Sequence, residues 1–156
     1  MTYIVIHLLY FLFAFLGFYF ANIIHELSHF ALFRFFRIKV TSLNLGLFSV
    51  MFINDKAKLK LHPLKIFTAS CTCKFDKNIS CYKYVISLLA GSLSCLILSL
   101  ILFFLQGHIQ NLVFSRCLLI IGFFCLINFI VNYATPFSED RKLTKYVIES
   151  FNERSR

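Results

Sequence analysis

Ile24-His25-Glu26-Leu27-Ser28-His29 closes an apolar run that begins at Tyr3 and carries no Asp, Glu, Lys or Arg before Glu26. A helix of about 20 apolar residues crosses a hydrocarbon core about 30 Å thick, so the run reads as a membrane-spanning helix. A carboxyl and two imidazoles at the end of such a helix are unfavourable to insert, which makes a functional role their default reading. The run has no positive leading region, is too long for a signal core, and is not followed by a small-x-small cleavage site. It is therefore expected to be a retained helix.

Working outward, two more apolar runs follow, giving expected spans of about 3–33, 84–105 and 112–134. The last two are joined only by Gln106 to Asn111, a connection short enough to make them antiparallel neighbours. With 59% hydrophobic residues and 21 Phe in 156 residues, the chain has room for one membrane domain and no separate soluble module. The Phe residues from Phe11 to Phe20 read as lipid-facing packing. The expected fold class is an all-α membrane protein of three transmembrane helices, with a small, cytosolic, partly β insertion between the first and second.

That insertion, about 34–83, differs in character. Val40 to Phe48 alternates in part around Gly46, suggesting a short strand and turn. Ala57-Lys58-Leu59-Lys60-Leu61-His62 alternates cleanly and reads as a half-buried strand ended by Pro63. Pro136 is expected to end the third helix, and the tail, 135–156, is charged from Ser138 on, with Leu143, Val147 and Ile148 near helical spacing.

Charge sets the expected orientation. Between Arg34 and Lys83 stand ten Lys or Arg against Asp55 and Asp76. The tail adds Arg141, Lys142, Lys145, Arg154 and Arg156, whereas the N-terminus and the His108 loop have none. The positive-inside rule puts the insertion and tail in the cytoplasm and the N-terminus outside, in a multi-pass cell-membrane protein. The net charge of +9 is thereby explained by the lipid bilayer. No nucleic-acid motif accompanies it, so no nucleic-acid partner is expected. Cys95, Cys117 and Cys125 lie in apolar runs, and Cys71, Cys73 and Cys81 on the reducing side. Free thiols are expected rather than disulfides or a second metal site. The Lys-, Ile-, Asn- and Phe-rich usage points to an AT-rich bacterial genome.

H-E-x-x-H is a metal-binding spacing with a mechanism. Residues four apart on a helix project within about 40° of each other, so His25 and His29 can share one zinc ion. Glu26 is rotated about 100° away and is free to act as base toward a water activated by the ion. Chance supplies roughly 0.004 such matches in this composition. An interhelical hydrogen-bonding role is the plainer alternative.

A catalytic zinc needs a third protein ligand. His7 is about 27 Å along the helix from His25, and His62 and His108 lie in loops. That leaves the carboxylates Asp140 and its neighbour Glu139, on the same side as the histidines. In the plainer reading each is a solvated acid balancing Arg141 and Lys142.

These residues carry a resemblance. His25-Glu26-Leu27-Ser28-His29 in a first span, Ala90-Gly91-Ser92-Leu93 in a second, and Asn132 through Pro136 to Asp140 after a third resemble the site-2 protease family, intramembrane zinc metalloproteases. The chain is most similar to small bacterial members without a PDZ domain. The resemblance implies His25, His29 and Asp140 as zinc ligands, Glu26 as catalytic base, and Asn132 near substrate or oxyanion, with Asn128 one turn away as its rival. The family's Asp is normally followed by Gly, where this chain has Arg141, so Glu139 stays in contention.

The implied function is zinc-dependent hydrolysis of a peptide bond in a membrane-embedded or membrane-adjacent protein or peptide. Such a substrate would unwind locally, by adding a strand beside Lys58–Leu61. A noncatalytic accessory or immunity-type membrane protein that retains the metal site is the alternative. A metal transporter fits less well, because the spans offer no second line of ligands.

Overall fold

The computed structural model describes residues 2–53, 56–62, 68–76, 78–135 and 138–152. Three helices are long and apolar enough to cross a membrane: α1 (Thr2–Phe35), α2 (Cys81–His108) and α3 (Leu112–Ala134). Their outer faces expose Leu8, Phe11, Ile97, Phe104, Phe123 and Ile130, as lipid-facing surface requires. At about 1.5 Å per residue α1 is about 51 Å long, more than a bilayer core needs. Asn111 starts α3 by accepting from the Val113 and Phe114 N–H groups at 3.1 Å each. Such a cap is worth about 1 kcal/mol.

Between helices in lipid, burying apolar side chains gains little, so small residues that let backbones approach decide the packing. Ser87, Cys95 and Ser99, with Gly91 among them at the same four-residue spacing, form a buried stripe down α2. Cys95 meets Ala21 of α1 and Cys125 of α3 in one fully buried cluster.

The end of α1 is a Schellman turn. The Ile38 N–H donates to the Phe33 carbonyl at 2.8 Å and the Arg37 N–H to the Arg34 carbonyl at 3.1 Å, with Arg37 at φ 58°. Phe33 and Ile38 supply the accompanying apolar contact in the core. Glycine usually fills this left-handed position, and an L side chain there costs roughly 1 kcal/mol.

Four strands follow: β1 (Val40–Leu45), β2 (Phe48–Ile53), β3 (Lys56–Leu61) and β4 (Ala69–Cys73). They form one antiparallel sheet in the order β3-β2-β1-β4. Gly46, at φ 77°, makes the β1–β2 turn. The sheet does not stand clear of the helices. β1 runs back along α1, from Val40 packed by Phe33 to Leu45, whose carbonyl accepts from the Tyr19 hydroxyl at 2.7 Å. Tyr19 lies sixteen residues before Phe35, about 24 Å up the helix. Phe30 and Phe52 stack at 5.9 Å across the same interface.

One expectation needs correction. The segment Ala57–Leu61 is a strand, but it is not half-buried: every residue of β3 is exposed, with Leu59 at 66% and Leu61 at 67%. β3 is an outer strand, and no described element of the chain covers the face its leucines share. Pro63, expected to end it, lies outside the described residues.

The tail forms α4 (Glu139–Asn152). Ser138 Oγ donates to the Asn132 carbonyl at 2.7 Å and accepts from the Arg141 N–H at 3.3 Å, so it caps α4 and ties it to α3. Val147 anchors the helix in a core with Phe33, Ile38, Val40, Tyr84 and Leu88. Pro136, read as the residue that stops the third helix, is also outside the described residues; α3 ends at Ala134.

Candidate metal centre

His25 and His29 are buried on the face of α1 that meets α2 and α4, with Nε2 atoms 3.0 Å apart. Asp140, in the first turn of α4, brings Oδ2 to 2.8 Å from His25 Nε2 and 3.2 Å from His29 Nε2. The start of a helix is a favourable place for a carboxylate. Burial acting alone would raise the Asp140 pKa. The hydrogen bonds to His25 and His29 outweigh it and hold the carboxyl well below its usual range. Among the described residues this is the one group of three His, Cys, Asp or Glu that could hold a metal ion.

The donor set fits zinc. His29 Nδ1–H donates to the Ser87 carbonyl at 2.7 Å, so Nε2 is the nitrogen that faces the site and the one that would give up its proton to an ion. Ligand atoms about 2.0–2.1 Å from a tetrahedral zinc lie roughly 3.3 Å from one another. The three atoms here, 2.8–3.2 Å apart, are already gathered close to that spacing. His25 Nδ1 has no hydrogen-bond partner among the described residues, so α2 orients one imidazole and not the other.

Gly91 of α2 makes this gathering possible. A Cβ at residue 91 would stand 2.5 Å from His29 Nε2 and 2.8 Å from His25 Cε1. Both are far inside van der Waals contact.

Glu26 is half-buried and is not a member of the ligand group. Its carboxylate lies within electrostatic reach of His29, His25 and Asp140, with the Cys71 backbone N–H beside it. Strand β4 therefore borders the site. Glu139, the rival carboxylate, points away: its side chain is 84% exposed and pairs with Lys142 at 3.4 Å. Asn132 and Asp140 line a common cavity of about 310 Å³ between α2, α3 and α4, and Arg141 lines it too. Asn132 Nδ2 donates to Asn128 Oδ1 at 2.9 Å, and Asn128 Nδ2 donates to Asn22 Oδ1 at 2.9 Å. The two asparagines weighed from sequence are thus one chain of hydrogen bonds, extended by Asn22. That residue was missed, although a lone amide one turn before His25 in an apolar run was a visible signal. His7 packs on Tyr3 and His108 on Phe104, while the His62 N–H donates to the Leu47 carbonyl.

All six cysteines are free. Burial first, and then the charge of Glu26, pushes the Cys71 thiol up to about 12 from an ordinary 9.0. Its thiolate population is then about a thousandfold below that of an unperturbed thiol, and the thiolate is the reactive form. A thiolate of higher pKa is more nucleophilic, which offsets part of that loss, so at pH 8 iodoacetamide is expected to modify Cys71 in the folded protein on the order of 30-fold more slowly than in the denatured chain. Equal rates, read by peptide mass spectrometry, would show that β4 does not bury it.

A family model, that of peptidase family M50, matches residues 13–154. The match spans His25, Glu26, His29, Asn132 and Asp140. None of the curated proteins or solved structures compared with the chain matches it.

Proposed function

The chain belongs to peptidase family M50, and from that premise we propose that it is a zinc-dependent endopeptidase cutting a peptide bond of a membrane-embedded or membrane-adjacent substrate. The family consists of membrane proteins and supports protease activity in general. The observation that carries the finer reading is the convergence of His25 Nε2, His29 Nε2 and Asp140 Oδ2 beside Glu26.

His25, His29 and Asp140 would hold the ion. When bound, zinc lowers the pKa of water toward about 7 and polarises a carbonyl. Glu26 takes the proton from the attacking water and returns it to the leaving amine. Asn132 lines the cavity that Asp140 shares, and it is proposed to turn one of its two donors from Asn128 to a substrate carbonyl.

A helical substrate hides its peptide bonds, and pairing with a strand would expose them. Strand addition was expected at Lys58–Leu61, which is β3. β3 and β4 are both outer strands, but β3 lies across β1 and β2 from β4, about 14 Å away. β4 is the edge that borders Glu26, so we place the substrate strand there. The basic insertion and tail support a cytoplasmic C-terminus and an outside N-terminus in the cell membrane.

The test is cleavage of single-span peptides reconstituted with the protein, with fragments read by mass spectrometry. 1,10-Phenanthroline is expected to abolish cleavage and added zinc to restore it. Cleavage that survives chelation would refute a zinc enzyme.

A further inference from the structure

A second built cavity, of about 520 Å³, lies between the turn that ends α1 and the connection from β4 to α2. It is lined by Arg37, Lys39, Lys74, Phe75, Asp76 and Ile79, and its size is that of a small-ligand site. Three of these residues are cations and one is an acid. The acid is engaged: Asp76 Oδ1 accepts from the Asn78 N–H at 2.9 Å. None of Arg37, Lys39 and Lys74 has an acidic partner among the described residues.

The backbones that carry these cations are fixed. The Lys74 N–H donates to the Lys39 carbonyl at 2.8 Å. The hydroxyl of buried Tyr84 accepts from the Asp76 N–H at 2.7 Å and donates to the Asp76 carbonyl at 3.3 Å. Phe75 packs on Tyr84 and Phe151, with ring centroids 5.1 and 5.7 Å apart. Arg37 sits in the left-handed position of the Schellman turn, at φ 58°. A glycine would hold that turn without strain, yet the chain keeps an arginine on the cavity wall. Strained residues cluster at ligand-binding sites, which makes this side chain a candidate for a role in the cavity.

We propose that this cavity binds a phosphate group, carried by an anionic lipid headgroup or by a soluble phosphate ester. A guanidinium matches phosphate oxygens in a fork and two ammonium groups add point charge. Its lining residues Arg37 and Ile79 stand two residues past the end of α1 and two before the start of α2, at the ends of two helices long and apolar enough to cross a membrane. Anionic headgroups gather at that level.

The full chain in zwitterionic detergent would be examined by native mass spectrometry with phosphatidylglycerol, with phosphatidylcholine of the same acyl chains, and with glycerol 3-phosphate. Phosphatidylglycerol is expected to be retained over phosphatidylcholine by about fivefold or more, the factor that one basic contact near a membrane supplies. Arg37→Gly combined with Lys74→Ala should abolish that preference. Lys58→Ala with Lys60→Ala, which removes the same charge from exposed β3, should keep it. Arg37→Gly relieves the turn and Lys74→Ala trims an exposed side chain, so the melting temperature of the double variant should not fall, and its lost binding then cannot be put down to misfolding. Glycerol 3-phosphate binding that disappears in the same cavity variant, without any lipid preference, would support the site and assign a soluble ligand. A preference lost equally in the β3 variant, or binding of both probes unchanged by Arg37→Gly/Lys74→Ala, would overturn the proposal.

Discussion

Gly91→Ala is expected to lose bound zinc and proteolysis together, each on the order of 100-fold. The added methyl carbon would fall 2.5 Å from His29 Nε2, 2.7 Å from His29 Cε1 and 2.8 Å from His25 Cε1. Helix α2 has little room to retreat, because Ser87, Cys95 and Ser99 on the same face are buried against its neighbours. Nor is His29 free to turn, since its Nδ1–H is held by the Ser87 carbonyl. The imidazoles would have to swing out of the ligand arrangement. Gly107→Ala is the matched control: its new methyl meets nothing within 4 Å, and zinc and activity should stay at wild-type levels. Zinc content and cleavage of the two variants, measured side by side, check this. A fully metallated, active Gly91→Ala protein would mean that α2 does not press on the histidines.

Glu26→Gln should separate what Gly91→Ala destroys jointly. Glutamine matches glutamate in shape and keeps an acceptor oxygen beside the Cys71 N–H. It cannot take a proton from water near neutral pH. Removing a general base typically costs about 10²–10⁴ in rate, whereas zinc content should be unchanged because Glu26 stands outside the ligand group. Metallated but inactive protein is the expected result. Cleavage within about threefold of wild type would take the base role away from Glu26.

Much of this was legible because it is local. The apolar runs declare their helices by length alone, and the i, i+4 spacing of His25 and His29 fixes their common face before any tertiary contact forms. The choice between Asp140 and Glu139 was not legible. Adjacent residues at a helix start point about 100° apart. Which one faces the histidines depends on where Ser138 caps α4 and how Val147 docks it in the core.

The sheet was half legible for a related reason. Alternation marks β3 as a strand but says nothing of whether another element covers its leucines. In Ala69–Cys73, short and made of small and polar residues, the strand follows from pairing with β1 rather than from propensity. The regular spacing of Ser87, Gly91, Cys95 and Ser99 was open to view, but small residues scattered in an apolar helix draw notice only once a neighbour packs against them. Arg37 is the converse case. Its position calls for glycine, so no sequence rule would have ended α1 there with a left-handed turn.

The most direct test of a zinc site built by His25, His29 and Asp140 is metal content after purification from zinc-replete cells, by mass spectrometry of the metal. Wild type and Glu139→Ala should carry stoichiometric zinc, while His25→Ala and Asp140→Ala should carry almost none. Zinc retained in Asp140→Ala but lost in Glu139→Ala, or absent from the wild type, would contradict that site.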